Sequence, residues 1–245
     1  MIRKYIVIAL LGLASIITLI SCATPSPAPQ NNAASATLGG QPASLKTSYD
    51  ELGIAGGKVY TLDSQNSAVR IYAFRGGLMS RVGHNHVLSA PRFTGFAYLP
   101  SGEAANARFD LEFRLDELEI DNPEDRSGLG KAFAAILRPV EIAGTREHML
   151  GEENLQAERF PYVRVHSLQI TGEPPKLAAK VQVEIHGQKR ELWVPLNVEG
   201  FPERIVVTGS FILRQTDFGI RPYTLPAGLL SVKDEVVIEF RLAGA

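Results

Sequence analysis

The sequence predicts an all-β fold whose antiparallel strands close into a barrel or pack as a sandwich. The first observation behind this is strict period-two alternation. Phe109, Leu111, Phe113 and Leu115 share one face, while Arg108, Asp110, Glu112, Arg114 and Asp116 share the other, the pattern of a strand that buries one side only. The second is an ordered series of turns and alternating segments between Phe160 and Ile220. It runs through Glu158-Arg159-Phe160-Pro161, Val183-Glu184-Ile185-His186-Gly187 and an alternating stretch from Arg190 to Val198. It closes on Thr208-Gly209-Ser210-Phe211-Ile212-Leu213-Arg214-Gln215-Thr216-Asp217-Phe218-Gly219-Ile220. Residues 58–245 supply enough chain for one domain with a substantial core.

From the N-terminus, Arg3 and Lys4 precede an uncharged apolar run over residues 5–20, followed by the small residues Ser21, Cys22 and Ala23. Residues 1–21 therefore read as a secretory signal, and the run is shorter than the ~20 residues of a usual membrane span. Cys22 is the only cysteine, so no internal disulfide can form. Leu19-Ile20-Ser21-Cys22 resembles the bacterial lipobox, whose cysteine is acylated and becomes the new N-terminus; the other reading is an ordinary cysteine in a discarded signal. Ala23, where Asp would retain the protein at the inner membrane, resembles the sorting preference for the outer membrane of a Gram-negative host. The expected location is the periplasmic face of that membrane.

Residues 22–57 begin Thr24-Pro25-Ser26-Pro27-Ala28-Pro29 after the cysteine and continue in Gln, Asn, Ala, Ser and Gly. So little apolar surface cannot offset ordering entropy, and a disordered tether is expected, with an end-to-end distance of roughly 30 Å. The folded domain would float near the membrane.

Strands are expected at residues 58–62, 69–75, 92–99 and 162–170. Further alternation places Val181, Val183 and Ile185 on one face, then Leu192, Val194, Leu196 and Val198. Ile205, Val207, Phe211 and Leu213 form another strand, and Val236, Ile238, Phe240 and Leu242 one more. Residues 131–137 are short, Ala-rich and helical in character, and residues 144–151 add a further helical turn that could cover one mouth of a barrel. Thr145 followed by His148 is an incomplete capping box, because that position calls for Glu or Gln. A net charge of −1 with no basic cluster excludes a dedicated nucleic-acid binder, and no solenoid or propeller repeat is present.

The order of several short motifs resembles the YceI-like family, a lipocalin-like group of periplasmic lipid-binding proteins. Tyr60-Thr61-Leu62-Asp63 with Ser67 resembles its opening strand, and Arg146, His148, Leu150 and Phe160-Pro161 its helical segment and following strand. His186-Gly187 resembles its His-Gly hairpin, Asp217-Phe218-Gly219-Ile220 its C-terminal signature, and Gly228-Leu229-Leu230 with Asp234-Glu235-Val236 to Leu242 its closing strand. The resemblance implies an eight-stranded antiparallel barrel whose apolar lumen holds a polyisoprenoid, quinone-like or fatty chain. Phe109, Leu111, Phe113, Val181, Val183, Ile185, Phe211 and Leu213 are then the expected lumen residues; the alternative is that they pack a filled core, as in a structural or stress-linked lipoprotein. The expected partners are that lipid and, through acylated Cys22, the membrane; the sequence identifies no protein partner.

One motif departs from the family pattern. Gly83-His84-Asn85-His86 places two imidazoles at i and i+2, on one face of an extended chain, a spacing used by paired metal ligands. His148 is the first candidate for a third ligand and His166 the second. Three readings stand together: a turn at Gly83 with the imidazoles hydrogen-bonded to backbone or carboxylate; contact of His84, Asn85, His86, Arg146 and His148 with a ligand headgroup; or a metal site at His84, His86 and His148. His186 is out of phase with Val181, Val183 and Ile185, so it reads as an outer-face or hairpin residue. Residues 121–142 exceed the corresponding family segment. Ser80 and Ser89 sit in no Gly-x-Ser-x-Gly elbow and no phosphate-cradling loop appears, so a binding protein is expected, not an enzyme.

Overall fold

The computed structural model describes residues 42–100, 106–200 and 202–245. The expected signal peptide, Cys22 and the expected tether up to residue 41 lie outside the described residues. The expectation of a disordered tether through residue 57 fails from Pro42 onward, where helix α1 (Pro42–Ile54) begins. Its anchor is Tyr49, buried and stacked on Phe96 at 5.3 Å between ring centroids. The Tyr49 hydroxyl donates to Asp110 Oδ2 at 2.7 Å. Burial first, and the Asp110 carboxylate second, push its pKa well above the ordinary phenol value.

Among the described residues, eleven strands form one antiparallel sheet. In chain order they are β1 (Lys58–Thr61), β2 (Ala68–Gly76), β3 (His86–Ser89), β4 (Thr94–Leu99), β5 (Arg108–Arg114) and β6 (Glu119–Ile120). Then come β7 (Tyr162–Glu173), β8 (Lys176–Ile185), β9 (Gln188–Glu199), β10 (Ile205–Arg214) and β11 (Ser231–Gly244). Their spatial order is β1-β4-β5-β7-β8-β9-β10-β11-β2-β3-β6.

Eleven stand where eight were expected, and the difference lies in breaks. A 3-10 turn at Ser64–Asn66, capped by Asp63 Oδ1 accepting from the Gln65 amide at 2.8 Å, separates β1 from β2. Pro91 lies between β3 and β4, and a second 3-10 turn at Leu115–Glu117 lies between β5 and β6. The halves stay with neighbouring halves: β1 with β4, β2 with β3, β4 with β5, β3 with β6. The sheet curls until the end of β1 meets the end of β11, where Leu62 bridges Gly244 and the Thr61 amide donates to Ala245 O at 3.0 Å.

The helical expectation shifts along the chain. Residues 131–137 hold only a 3-10 turn at Lys131–Phe133, because Phe133 is buried on the outer face against Tyr72, at 5.9 Å between ring centroids. A short helix α2 (Pro123–Ser127) precedes it, and the main helix is α3 (Pro139–Leu150). Pro139 occupies the first turn of α3, where no amide partner is lost. The Glu141 carboxylate, three residues past Arg138, accepts from the Arg138 amide at 2.7 Å. This is the cap that Thr145 and His148 could not make.

Candidate functional site: an apolar cavity with one polar end

Inside the curled sheet lies a cavity of about 1260 Å³, larger than the ~300–1,000 Å³ of common small-molecule sites. All eight expected lumen residues border it: Phe109, Leu111, Phe113, Val181, Val183, Ile185, Phe211 and Leu213. The interior is therefore hollow, against the filled-core alternative. Register explains the shared wall. Leu111 pairs with Val165 and Val165 with Val183, so three adjacent strands aim apolar side chains inward at one level. Their in-chain neighbours Asp110, Glu112 and Glu184 alternate to the other face, where Arg164 meets Glu112 and Glu184.

Most of the polar side chains gather at one end, while Tyr98 and Arg108, paired across β4 and β5, border the other. Arg114 pairs with Tyr162, Ile185 with Gln188, Arg214 with Glu235 and Gly76 with Ser231, so these strand termini rim the same mouth. His84, His86, His148, Asn154, His186 and Arg221 all border the cavity from segments that follow or precede those termini. The second half of α3 contributes Thr145, His148 and Met149, so the helical segment does meet this end.

The Gly83-His86 motif mainly holds backbone. Gly83 O accepts from Arg75 Nη1 at 2.7 Å. Asn85 is buried, accepting from the Arg75 amide at 3.0 Å through Oδ1 and donating to Ala132 O at 3.2 Å through Nδ2. His86 Nδ1 lies 2.6 Å from Asp121 Oδ2. Asp121 is fully buried and also accepts from the Val87 amide at 3.1 Å and from Arg126 Nη1. Burial alone would raise its pKa, but the hydrogen bond and charge of His86, the Val87 amide and Arg126 together hold it below the ordinary carboxylate value. Arg126 in turn donates to Asn85 O at 2.9 Å and Phe133 O at 2.8 Å. The motif thus pins residues 121–135 to the barrel wall.

The metal expectation at His84, His86 and His148 is corrected. Among the described residues no three His, Cys, Asp or Glu side chains converge as a metal site. His86 is committed to Asp121, while exposed His148 packs its ring 5.2 Å from Tyr223. His166 is on the outer face, its Nδ1 2.7 Å from Asp110 Oδ1. Two expected headgroup contacts also fall away from the cavity. Asn85 is used as above, and Arg146 donates to Leu118 O at 2.7 Å and to Asp116 O. His84 and His148 remain on the cavity rim.

Sequence reasoning missed Asp121, the partner of His86, and Arg126, the partner of Asp121, since no local pattern marks either. It placed His186 on the outer face or in the hairpin; His186 is in the hairpin between β8 and β9 and also borders the cavity. The usable signal was His186-Gly187 between two alternating segments, a two-residue hairpin of the kind that needs positive φ at both positions; the observed values are 54° and 68°.

The family model for the YceI-like domain matches residues 60–243. Among solved structures, BcnA of Burkholderia cenocepacia superposes with a TM-score of 0.55 at 15% identity, covering 75% of this chain and 99% of that one. A YceI protein of Campylobacter jejuni aligns with a TM-score of 0.48 at 9% identity, covering 64% and 84%. A search of curated proteins returns no match. The likeness to BcnA concerns the fold, and the domain match settles kinship: this chain belongs to the YceI-like family.

Proposed function

We propose that the protein is a membrane-tethered periplasmic carrier for a long-chain isoprenoid or similar amphiphilic lipid, quinone-like chains included, held in the barrel lumen. The observation that carries this reading is the cavity of about 1260 Å³, walled mainly by apolar side chains with most of its polar ones gathered at one mouth. Such a space recognises a hydrocarbon by length and width and a headgroup at one end only. The protein acts by binding and leaves the ligand's bonds unchanged. Acylated Cys22 would hold it on the outer membrane, since each buried CH₂ contributes about 0.8 kcal/mol and more than one chain anchors durably.

Full-length protein from bacterial membranes, examined by native mass spectrometry and organic extraction, is expected to carry one long-chain lipid per polypeptide. Its N-terminal peptide should begin at Cys22 and carry acyl mass. Protein that is repeatedly lipid-free and takes up no geranylgeraniol would overturn the binding proposal; an unmodified Cys22 would overturn the tether alone.

A further inference from the structure

Two loops at the histidine-bearing mouth leave large apolar side chains in water. Between β2 and β3, Leu78 is 84% exposed and Val82 66%, with Met79 exposed between them. Between β10 and β11, Tyr223 and Leu229 are exposed as well. Val82 and Tyr223 also border the cavity, so apolar surface runs from the outside of the rim into the lumen. Backbone hydrogen bonds join the two loops into one surface. The Leu78 amide donates to Gly228 O at 3.1 Å and the Met79 amide to Leu229 O at 2.7 Å. Gly77 permits this approach, since at φ 88° a Cβ there would fall 2.7 Å from Gly228 O.

The charge on these loops has one sign. Residues 76–86 and 219–233 contain Arg81, Arg221 and Lys233 and no Asp or Glu. All three cations are exposed, and among the described residues no carboxylate forms an ion pair with them. Glu152 and Glu153, also on the rim, sit on the segment after α3, and their charge keeps that side facing water. Exposed apolar side chains among unpaired cations match the boundary of an anionic bilayer. Hydrocarbon takes up the side chains and lipid phosphate attracts the cations, whereas water accommodates the charges alone.

We infer that this rim docks on an anionic lipid bilayer, with Leu78, Met79 and Leu229 inserted at the headgroup boundary and the cavity mouth against the membrane. The inference rests on the lipid-carrier reading for its choice of partner. A chain moving between bilayer and lumen then passes along Val82 and Tyr223 without entering water. Acylated Cys22 would keep the domain near the membrane, and the rim decides which end faces it.

The test reconstitutes full-length protein from bacterial membranes into phosphatidylcholine vesicles, with or without phosphatidylglycerol. Cys22 is the only cysteine, so with Cys22 acylated a fluorophore on Leu78→Cys reports that site alone. Doxyl-labelled lipids should quench it in the anionic vesicles. The same fluorophore on Ile212→Cys, exposed on the outer wall, should stay unquenched. Arg81→Gln should lower the docked-to-undocked ratio about fivefold, the effect of one basic residue at an anionic surface, and added salt should act in the same direction. Leu78→Asp should slow loading of geranylgeraniol from these vesicles by about tenfold. Its affinity for geranylgeraniol should not change, because Leu78 is outside the cavity lining. Equal signals from the two labels overturn the inference. So does a dimer, seen by native mass spectrometry, that shields the Leu78→Cys label before vesicles are added. Either result leaves the carrier reading intact while geranylgeraniol is still bound. Quenching at Leu78→Cys in protein that takes up no geranylgeraniol would overturn that reading and keep the docking.

Discussion

Arg126→Met is expected to cost about 3–5 kcal/mol of folding stability, the range for removing one partner of a buried ion pair. The side chains of Arg126 and Asp121 are 7% and 0% exposed, so neither charge can turn to water. Removal of the guanidinium also unpairs the carbonyls of Asn85 and Phe133. Asp121 sits at φ 54°, a conformation that Asp and Asn tolerate better than most residues. Asp121→Asn in the Arg126→Met background should therefore recover part of the loss, because it removes the stranded charge without straining the turn. Urea unfolding checks this as a lowered midpoint at unchanged slope; a midpoint within error of wild type would contradict it.

The same cluster gives a pH dependence with a fixed sign. The folded-state pKa of Asp121 lies below the ordinary value of 3.8. Its ionised form therefore contributes stability that is fully present above that value and is lost as pH falls through the folded-state pKa. Wild type should show this contribution fading only in strong acid. In Arg126→Met the carboxylate has lost a cation that favours its charge, so the fade should start at higher pH.

The paired substitution Leu111→Trp with Val183→Trp is expected to lower affinity for geranylgeraniol by at least about tenfold, or roughly 1.4 kcal/mol. The residues lie at one level of the lumen on β5 and β8, separated by Val165 on β7. Two strand spacings of about 4.7–4.9 Å place the indoles close enough to constrict the passage together. Because they extend into open cavity and not into packed core, they escape the overpacking penalty of about 1–3 kcal/mol that a filled interior imposes. Ile212→Trp serves as control, since Ile212 is 64% exposed on the outer face. Undiminished uptake by the double variant would place the chain elsewhere.

The lumen was legible because alternation leaves little choice of face. Once Phe109, Leu111 and Phe113 oppose Asp110 and Glu112, only one side can be apolar. The same rule could not choose between outer face and hairpin for His186, since it assumes extended backbone. Positive φ at residues 186 and 187 breaks the phase and brings the imidazole to the cavity. Strands β3 and β6 were missed because four and two residues are too few to show a period. Helix α1 was missed because its docking depends chiefly on Tyr49, and composition averages a single aromatic away. The partner of His86, Asp121, is 35 positions away, which no local motif can span. Paired imidazoles at i and i+2 suggested a metal, whereas a carboxylate from a distant turn claims one of them.

The central claim is that a hydrocarbon chain lies inside the barrel. Methyl-labelled full-length protein saturated with geranylgeraniol tests it most directly by NMR. Nuclear Overhauser contacts should run from the chain to the methyls of Leu111, Val181, Val183 and Leu213, all on the cavity wall. Contacts confined to outward methyls such as those of Ile212, with the lumen methyls silent, would contradict the account.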